Sequence, residues 1–122
     1  MLIDTSAWIR HFRAPDPFID SALASLIALG HPDVVGELAM GTDPDAAIAR
    51  DAVRSLPSLD SVPADRTLEL VQSAGMNGHG IGWTDACLLA ACIDSVSPIA
   101  IYTLDRRMDR IARRVGIVSF GA

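Results

Sequence analysis

Four acidic residues stand as isolated charges in otherwise apolar stretches of this 122-residue chain. They are Asp4, Glu37, Asp85 and Asp105. Apolar stretches form the core of a domain, so a carboxylate inside one loses hydration, which is unfavourable unless a partner compensates. Arginine is the usual partner, yet none is adjacent to three of the four. A bound divalent cation would resolve this conflict, and the pattern therefore points to metal-dependent chemistry.

The chemistry that such a group of acids performs follows from its charge. Two carboxylates about 4 Å apart repel by roughly 4 kcal/mol at an effective dielectric constant near 20, so several of them would destabilise the empty protein. Hard oxygen ligands suit Mg²⁺ or Mn²⁺. Such a cation can activate water and stabilise charge on phosphate oxygens, which favours hydrolysis of a phosphodiester. For any single acid the alternative is equally good, because aspartate at a strand-to-helix junction commonly caps the helix.

The elements that must position these acids alternate along the chain. Short apolar runs predict strands at residues 1–4, 31–34, 59–62, 99–103 and 117–120. Helical spacing and capping signals, among them Asp16-Pro17 and Asp43-Pro44, predict helices between these runs, with Thr84 as the N-cap of the helix that carries Asp85. The apolar spacing from Ile19 onward extends one of these helices towards Gly30.

Strands separated by helices predict a three-layer α/β/α domain with a mainly parallel sheet of four to five short strands. Binding sites in such sheets lie beyond the carboxyl ends of the strands. Asp4 and Asp105 each follow an apolar run, so both are expected at that edge. Glu37 and Asp85 lie on helices that can reach the same crevice.

The charge balance limits how the chain would meet nucleic acid. Fifteen acidic residues outnumber ten arginines, no lysine is present, and the net charge is −5. This argues against a protein that coats nucleic acid through bulk attraction, but it allows one small cationic patch. Half of the arginines occur between residues 106 and 114. Arg106, Arg107 and Arg110 are candidate substrate contacts there, with a solvated helix face as the alternative.

Several motifs occur together in a characteristic order. They are Asp4-Thr5-Ser6-Ala7-Trp8, Val35-Gly36-Glu37-Leu38, Thr84-Asp85-Ala86 with an apolar continuation, and Thr103-Leu104-Asp105-Arg106. Each motif alone is weak, but the ordered set resembles the PIN domains over essentially the whole chain. Within that family the chain looks most like the VapC-type toxins of type II toxin–antitoxin pairs. One departure is Met108, at a position where the family usually carries an aromatic residue.

The resemblance implies a magnesium-dependent ribonuclease acting on RNA. By matching positions, Asp4, Glu37, Asp85 and Asp105 would form the catalytic quartet, with Asp4, Asp85 and Asp105 binding the metal. Ser6 or Thr103 would supply a supporting hydroxyl. The resemblance also implies a cognate antitoxin whose basic tail enters the acidic groove, and a homodimer. Asp109 is expected to form an ion pair with Arg106 or Arg113 rather than to bind metal.

Chain length, apolar runs, cysteines and histidines give further expectations about the domain and its environment. The length and even composition predict a single domain over residues 1–122. No apolar run is long enough to cross a bilayer, so a soluble, cytoplasmic protein is expected. Cys87 and Cys92 are expected as free thiols. The three histidines, His11, His31 and His79, are expected at the surface or in loops, without a catalytic role.

Three other functions fit parts of the pattern. An aspartyl-phosphate phosphatase would need a second acid two residues after its nucleophile, where this chain has Ser6, and also a lysine. A phospho-receiver module would likewise need a lysine near its last strand. A catalytically degenerate PIN domain that retains its acids only for partner contact is separable from the enzyme by assay alone.

Overall fold

The sheet of this protein is short, parallel and central. In the computed structural model, which describes all 122 residues, β1 (Leu2–Ile3), β2 (Ile101–Tyr102) and β3 (Ser119–Phe120) pair in the order β1-β2-β3. Leu2 is in register with Ile101, which is in register with Ser119. The three-layer α/β/α architecture predicted from the alternating pattern is confirmed, with fewer regular strands than the predicted four to five.

Two isolated parallel bridges extend the sheet beyond β1. Leu2 pairs with Leu29, and Gly30 pairs with Ser58. The spatial order is therefore Ser58, Leu29–Gly30, β1, β2, β3. The two bridge segments lie on one side of β1, and β2 and β3 lie on the other. The strand order reverses between β1 and β2, and the crevice at such a reversal is where open α/β sheets bind ligands.

The predicted strands at residues 31–34 and 59–62 are wrong. His31 is instead the N-cap of a helix whose first residue is Pro32, and residues 59–62 are irregular. Proline lacks the N–H that a ladder needs and its fixed φ suits the first helical turn. The pairing therefore falls just before these runs, at Leu29–Gly30 and at Ser58.

Seven helices connect and cover the strands. They are α1 (Thr5–Arg13), α2 (Pro17–Ala24), α3 (Pro32–Met40), α4 (Pro44–Arg54), α5 (Ala64–Ser73), α6 (Trp83–Ile93) and α7 (Arg106–Arg114). The caps predicted at Asp16 and Asp43 are confirmed, because each carboxylate accepts a hydrogen bond from the amide two residues on. The N-cap of α6 is Gly82 rather than the predicted Thr84.

Helix α2 is shorter than its apolar spacing predicts. It ends at Ala24, and the amides of Leu26 and Ile27 donate back to the carbonyl groups of Leu23 and Ala22. Leu26 has a φ of 58°, the left-handed conformation that closes this type of helix end. Because the helix ends at Ala24, Leu29 lies outside it and can pair with Leu2 of β1.

The core lies between the sheet and the helices. Trp8, Ile19 and Met108 are fully buried there, together with the strand residues Leu2 and Ile101. Met108 thus fills the core position at which an aromatic residue is usual in the resembled family. None of the seven helices combines the length and apolarity that crossing a bilayer would require.

Candidate active site

The four acids singled out from the sequence line one pocket. Asp4, Glu37, Asp85 and Asp105 surround a cavity of about 250 Å³, together with Thr5, Ser6 and Ile9. Asp4 follows β1 directly and is the N-cap of α1, while Asp105 follows β2 and is the N-cap of α7. The pocket therefore lies at the carboxyl ends of β1 and β2, where the strand order reverses.

Asp4 is the buried member of the group. Its side chain is nearly inaccessible to solvent, and burial raises the pKa of its carboxyl group to about 6. The hydrogen bonds from the Thr103 hydroxyl and the Thr5 amide oppose this rise, whereas the charges of Asp85 and Glu37 add to it. The surroundings of Asp4 therefore disfavour its ionised form, which a cation bound beside it would stabilise.

Thr103 connects the ends of the two central strands. Its hydroxyl donates to Asp4 Oδ2 at 2.9 Å and accepts the Asp105 amide at 3.1 Å. The Thr103 side chain is fully buried. The predicted supporting hydroxyl is therefore placed where it can orient Asp4 and fix the backbone of Asp105.

Asp85 and Asp105 are each held by helix amides. Asp85 Oδ2 accepts the Gly82 amide at a long 3.4 Å, and Asp105 Oδ1 accepts the Arg107 amide at 2.7 Å. Burial raises the pKa of Asp85, repulsion from Asp105 raises it further, and the Gly82 hydrogen bond opposes both. Capping and membership of the acidic pocket are therefore combined in the same side chains rather than being alternatives.

Glu37 reaches the pocket from the middle of α3. Its Oε1 accepts the Thr5 hydroxyl at 2.8 Å, which joins α3 to the start of α1. This role of Thr5 was not predicted. The hydroxyls of the Asp-Thr-Ser run are chemically alike, and only the phase of α1 decides which one faces Glu37. Ser6, also predicted as a supporting hydroxyl, lines the pocket with an exposed side chain.

The expectation that all four acids are desolvated is only partly correct. Asp4 is buried and Asp85 is half-buried, whereas Glu37 and Asp105 are exposed. The last two face the solvent at the pocket opening, where water replaces the missing counter-charge. None of the ion pairs of the protein involves any of the four.

The pocket has the donor chemistry of a hard-cation site but not a finished coordination shell. No three acidic, histidine or cysteine side chains stand close enough together to enclose a metal ion. The physical reason is visible at Asp85 and Asp105, since each carboxylate is turned towards helix amides. Magnesium usually keeps several waters and takes only one or two carboxylates from the protein, so an open arrangement of oxygen donors still fits it.

The other candidates are placed around this pocket. Arg106, Arg107 and Arg110 are exposed on α7, which begins immediately after Asp105. Asp109 is paired with Arg113 at 3.0 Å, as predicted, and does not line the pocket.

The expectation for the histidines is wrong for His11, on α1, and only partly correct for His31, which lies between two elements. His11 and His31 are buried, and each accepts a backbone amide at 3.0 Å, from Asp16 and Asp33 respectively. Only His79 is exposed in a loop. A histidine that satisfies an otherwise unpaired amide can be buried in its neutral form, which sequence alone does not reveal.

Comparison with known proteins agrees with this geometry. The family model described as PIN domain matches residues 1–114. Two curated relatives, both named Ribonuclease VapC32, come from the CDC 1551 / Oshkosh and ATCC 25618 / H37Rv strains of Mycobacterium tuberculosis. Each is 32% identical over 117 residues, which covers 96% of this chain and 94% of the relative. The chain therefore belongs to the PIN-domain family.

Proposed function

We propose that this protein is a metal-dependent endoribonuclease that acts as the toxin of a toxin–antitoxin pair, with residues 1–122 as one nuclease domain. The observation that carries the proposal is the convergence of four carboxylates without a counter-charge at the carboxyl ends of β1 and β2. Membership of the PIN-domain family and the relatives named Ribonuclease VapC32 support the same activity. They also remove the reason to prefer a phosphatase or a phospho-receiver module.

The metal is Mg²⁺ in this proposal, with Mn²⁺ as a substitute. Asp4, Asp85 and Asp105 would hold it, directly or through its retained waters, because these three combine oxygen donors with burial or mutual repulsion that a cation relieves. When bound, the cation supplies an activated water and charge stabilisation at the scissile phosphate. No arginine needs to be displaced for it to enter.

The chain itself orients and accepts protons in this proposal. Thr103 holds the Asp4 carboxylate, and Thr5 holds Glu37 at the solvent side of the pocket. Glu37 would accept the proton of the attacking water, since it is the exposed carboxylate that is not needed as a metal ligand. Ser6, at the same opening, would contact either water or the substrate.

The RNA would approach over the first turns of α7. Arg106, Arg107 and Arg110 are exposed beside Asp105. Their guanidinium groups would bind phosphates on either side of the cleaved bond, while the acidic pocket would bind the scissile phosphate only together with its metal. Because the net charge of the chain is −5, a polyanion would have to be attracted by a local patch such as this one rather than by the molecule as a whole.

The partner in this proposal is a cognate antitoxin with a basic tail. An arginine from that tail would find four carboxylates that no cationic side chain of the toxin neutralises. It would thereby compete with the metal. A homodimer is the expected oligomeric state of the toxin.

The proposal is tested by incubating the purified, partner-free protein with RNA. Cleavage is expected with Mg²⁺ or Mn²⁺, and it should stop on addition of EDTA. Failure to cleave total RNA with either metal, in a protein with a native circular dichroism spectrum, would instead identify a degenerate domain that only binds its partner.

A further inference from the structure

A second opening and the acidic pocket are both lined by residues of the first turn of α6. The second opening is a groove of about 280 Å³ whose lining includes Val71, Met76, Asn77, Ile81 and Trp83. Clefts for small molecules usually measure roughly 300–1,000 Å³, so this groove is suited to a group of the size of one nucleobase. It is predominantly apolar, with one side-chain amide at Asn77.

Trp83 is the unusual residue of this groove. It is the first residue of α6, and 51% of its surface is exposed. The other tryptophan, Trp8, is completely buried. An indole face left open to solvent can stack against a nucleobase.

The groove and the acidic pocket share a structural element. Gly82 lines the groove, and its amide donates to the Asp85 carboxylate in the pocket. Trp83 and Asp85 lie two residues apart on α6, so their side chains leave the helix in different directions. A ligand that spans both openings would therefore pass around the N-terminus of α6.

The glycine-rich loop from Gly75 to Gly82 connects the groove to the arginines of α7. The Arg107 guanidinium reaches the Gly80 carbonyl oxygen at 3.5 Å, and Arg114 contacts the His79 ring at 2.7 Å. A Cβ at Gly80 would lie 2.9 Å from Arg107 Cδ, which shows how closely the loop rests on the helix. The loop thus brings Arg107 and Arg114 close to the segment that leads into Trp83.

We propose that the groove beside Trp83 binds an unpaired base of the RNA substrate, next to the scissile phosphate, by stacking the base on the indole ring. The inference rests on the ribonuclease activity proposed above. Single-stranded nucleic acids are commonly bound in this way, with bases on aromatic rings and phosphates on arginines. Asn77 would contact the edge of the stacked base.

Binding is measured first, in a protein that cannot cleave. In the Asp4→Asn variant, titration with a short single-stranded RNA should quench tryptophan fluorescence, since Trp8 is shielded from solvent. In Asp4→Asn with Trp83→Phe, the quenching should disappear while binding, followed with a labelled RNA, is largely retained. If the RNA causes no quenching, or binds equally well with Trp83→Ala, the inference is overturned whether or not cleavage has been detected.

Kinetics provide the second measurement. Stacking of one base is worth ~1–3 kcal/mol, so Trp83→Ala should reduce kcat/KM by about 5-fold to 150-fold, mainly through KM, and Trp83→Phe much less. Val96→Ala, a fully exposed apolar residue beyond the other end of α6, is the matched control and should leave the kinetics unchanged.

An altered substrate separates stacking from a general structural effect. An RNA with an abasic nucleotide beside the cleaved bond should lose as much as Trp83→Ala loses, and the two losses should not add. Additive losses would overturn the inference. Absence of cleavage by the wild-type protein would instead refute the ribonuclease proposal, and the fluorescence titration would still decide whether the groove binds RNA.

Discussion

Two acids of the pocket, Asp4 and Asp85, differ from the surface acids Asp94 and Asp109 in having no arginine beside them. Asp94 is bound by Arg66 through two hydrogen bonds of 2.9 and 3.0 Å, and these lower the pKa of its carboxyl group. Asp109 is likewise held by Arg113. In the pocket, Asp4 and Asp85 have no cationic neighbour, and their pKa values are raised instead. Arginines of the chain thus neutralise Asp94 and Asp109, whereas no cationic side chain neutralises Asp4 or Asp85.

The largest expected effect comes from removing one pocket charge. Asp85→Asn should abolish RNA cleavage while leaving the circular dichroism spectrum unchanged, because the side chain keeps its size and its oxygen. The matched control is Asp109→Asn on α7, which removes an acid that is already paired. It should stay within about twofold of wild-type activity and lower stability by up to ~0.5 kcal/mol. Equal loss of activity in both variants would abolish the distinction between the two classes of acid.

A smaller effect is expected from the hydroxyl that orients Asp4. Thr103→Val keeps the shape of the side chain but removes the hydrogen bonds to Asp4 Oδ2 and the Asp105 amide. Loss of such an orienting contact typically reduces metal affinity or activity by ~10–100-fold. Thr103→Ser should restore most of the affinity for Mn²⁺, measured by calorimetry. Unchanged affinity in Thr103→Val would show that the hydroxyl only satisfies the buried backbone.

Because the pKa of Asp4 is raised, both metal affinity and stability should depend on pH. Because the metal must displace a proton below pH 6, Mn²⁺ affinity should fall by about tenfold per pH unit there and level off above. Stability should move the other way. Between the ordinary value of 3.8 and the folded value of about 6, the folded protein binds more protons than the unfolded chain, so acidification through this window stabilises the metal-free protein. A metal affinity that does not change between pH 5 and 7 would contradict the assignment.

The smallest effect concerns stability without metal. Asp85→Asn removes a repelled, half-buried charge and one long hydrogen bond, so the free energy of unfolding should stay equal or rise by up to ~1 kcal/mol. Chemical denaturation in EDTA measures this difference. A loss of more than about 2 kcal/mol would mean that Asp85 serves mainly as a structural cap.

Much of this architecture could be predicted because its signals are local. Asp-Pro pairs mark the starts of α2 and α4, and short apolar runs ending in Asp4 and near Asp105 mark the two central strands. The parallel pairing of those strands then brings the two acids to one edge. The pocket was predictable to the extent that it depends on strand ends.

The remaining features depend on tertiary contacts. The bridge residues Leu29 and Gly30 are too few to show the alternating pattern of a strand. The strand predicted at residues 31–34 is instead the start of α3, whose first residue is Pro32. The Thr5–Glu37 hydrogen bond joins residues 32 positions apart and depends on the rotation of α1 and α3 about their axes. The buried His11 ring accepts a hydrogen bond from the Asp16 amide, and the periodic pattern of the sequence does not indicate this contact.

The contact between the glycine-rich loop and α7 bears on where a bound RNA strand would be cut. Arg107 and Arg114 contact Gly80 and His79, so the loop that leads to Trp83 rests on the helix that begins after Asp105. In the proposed complex this contact would limit how far a stacked base can move relative to the scissile phosphate. The nucleotide stacked on the indole ring of Trp83 would then determine which phosphodiester bond is cut.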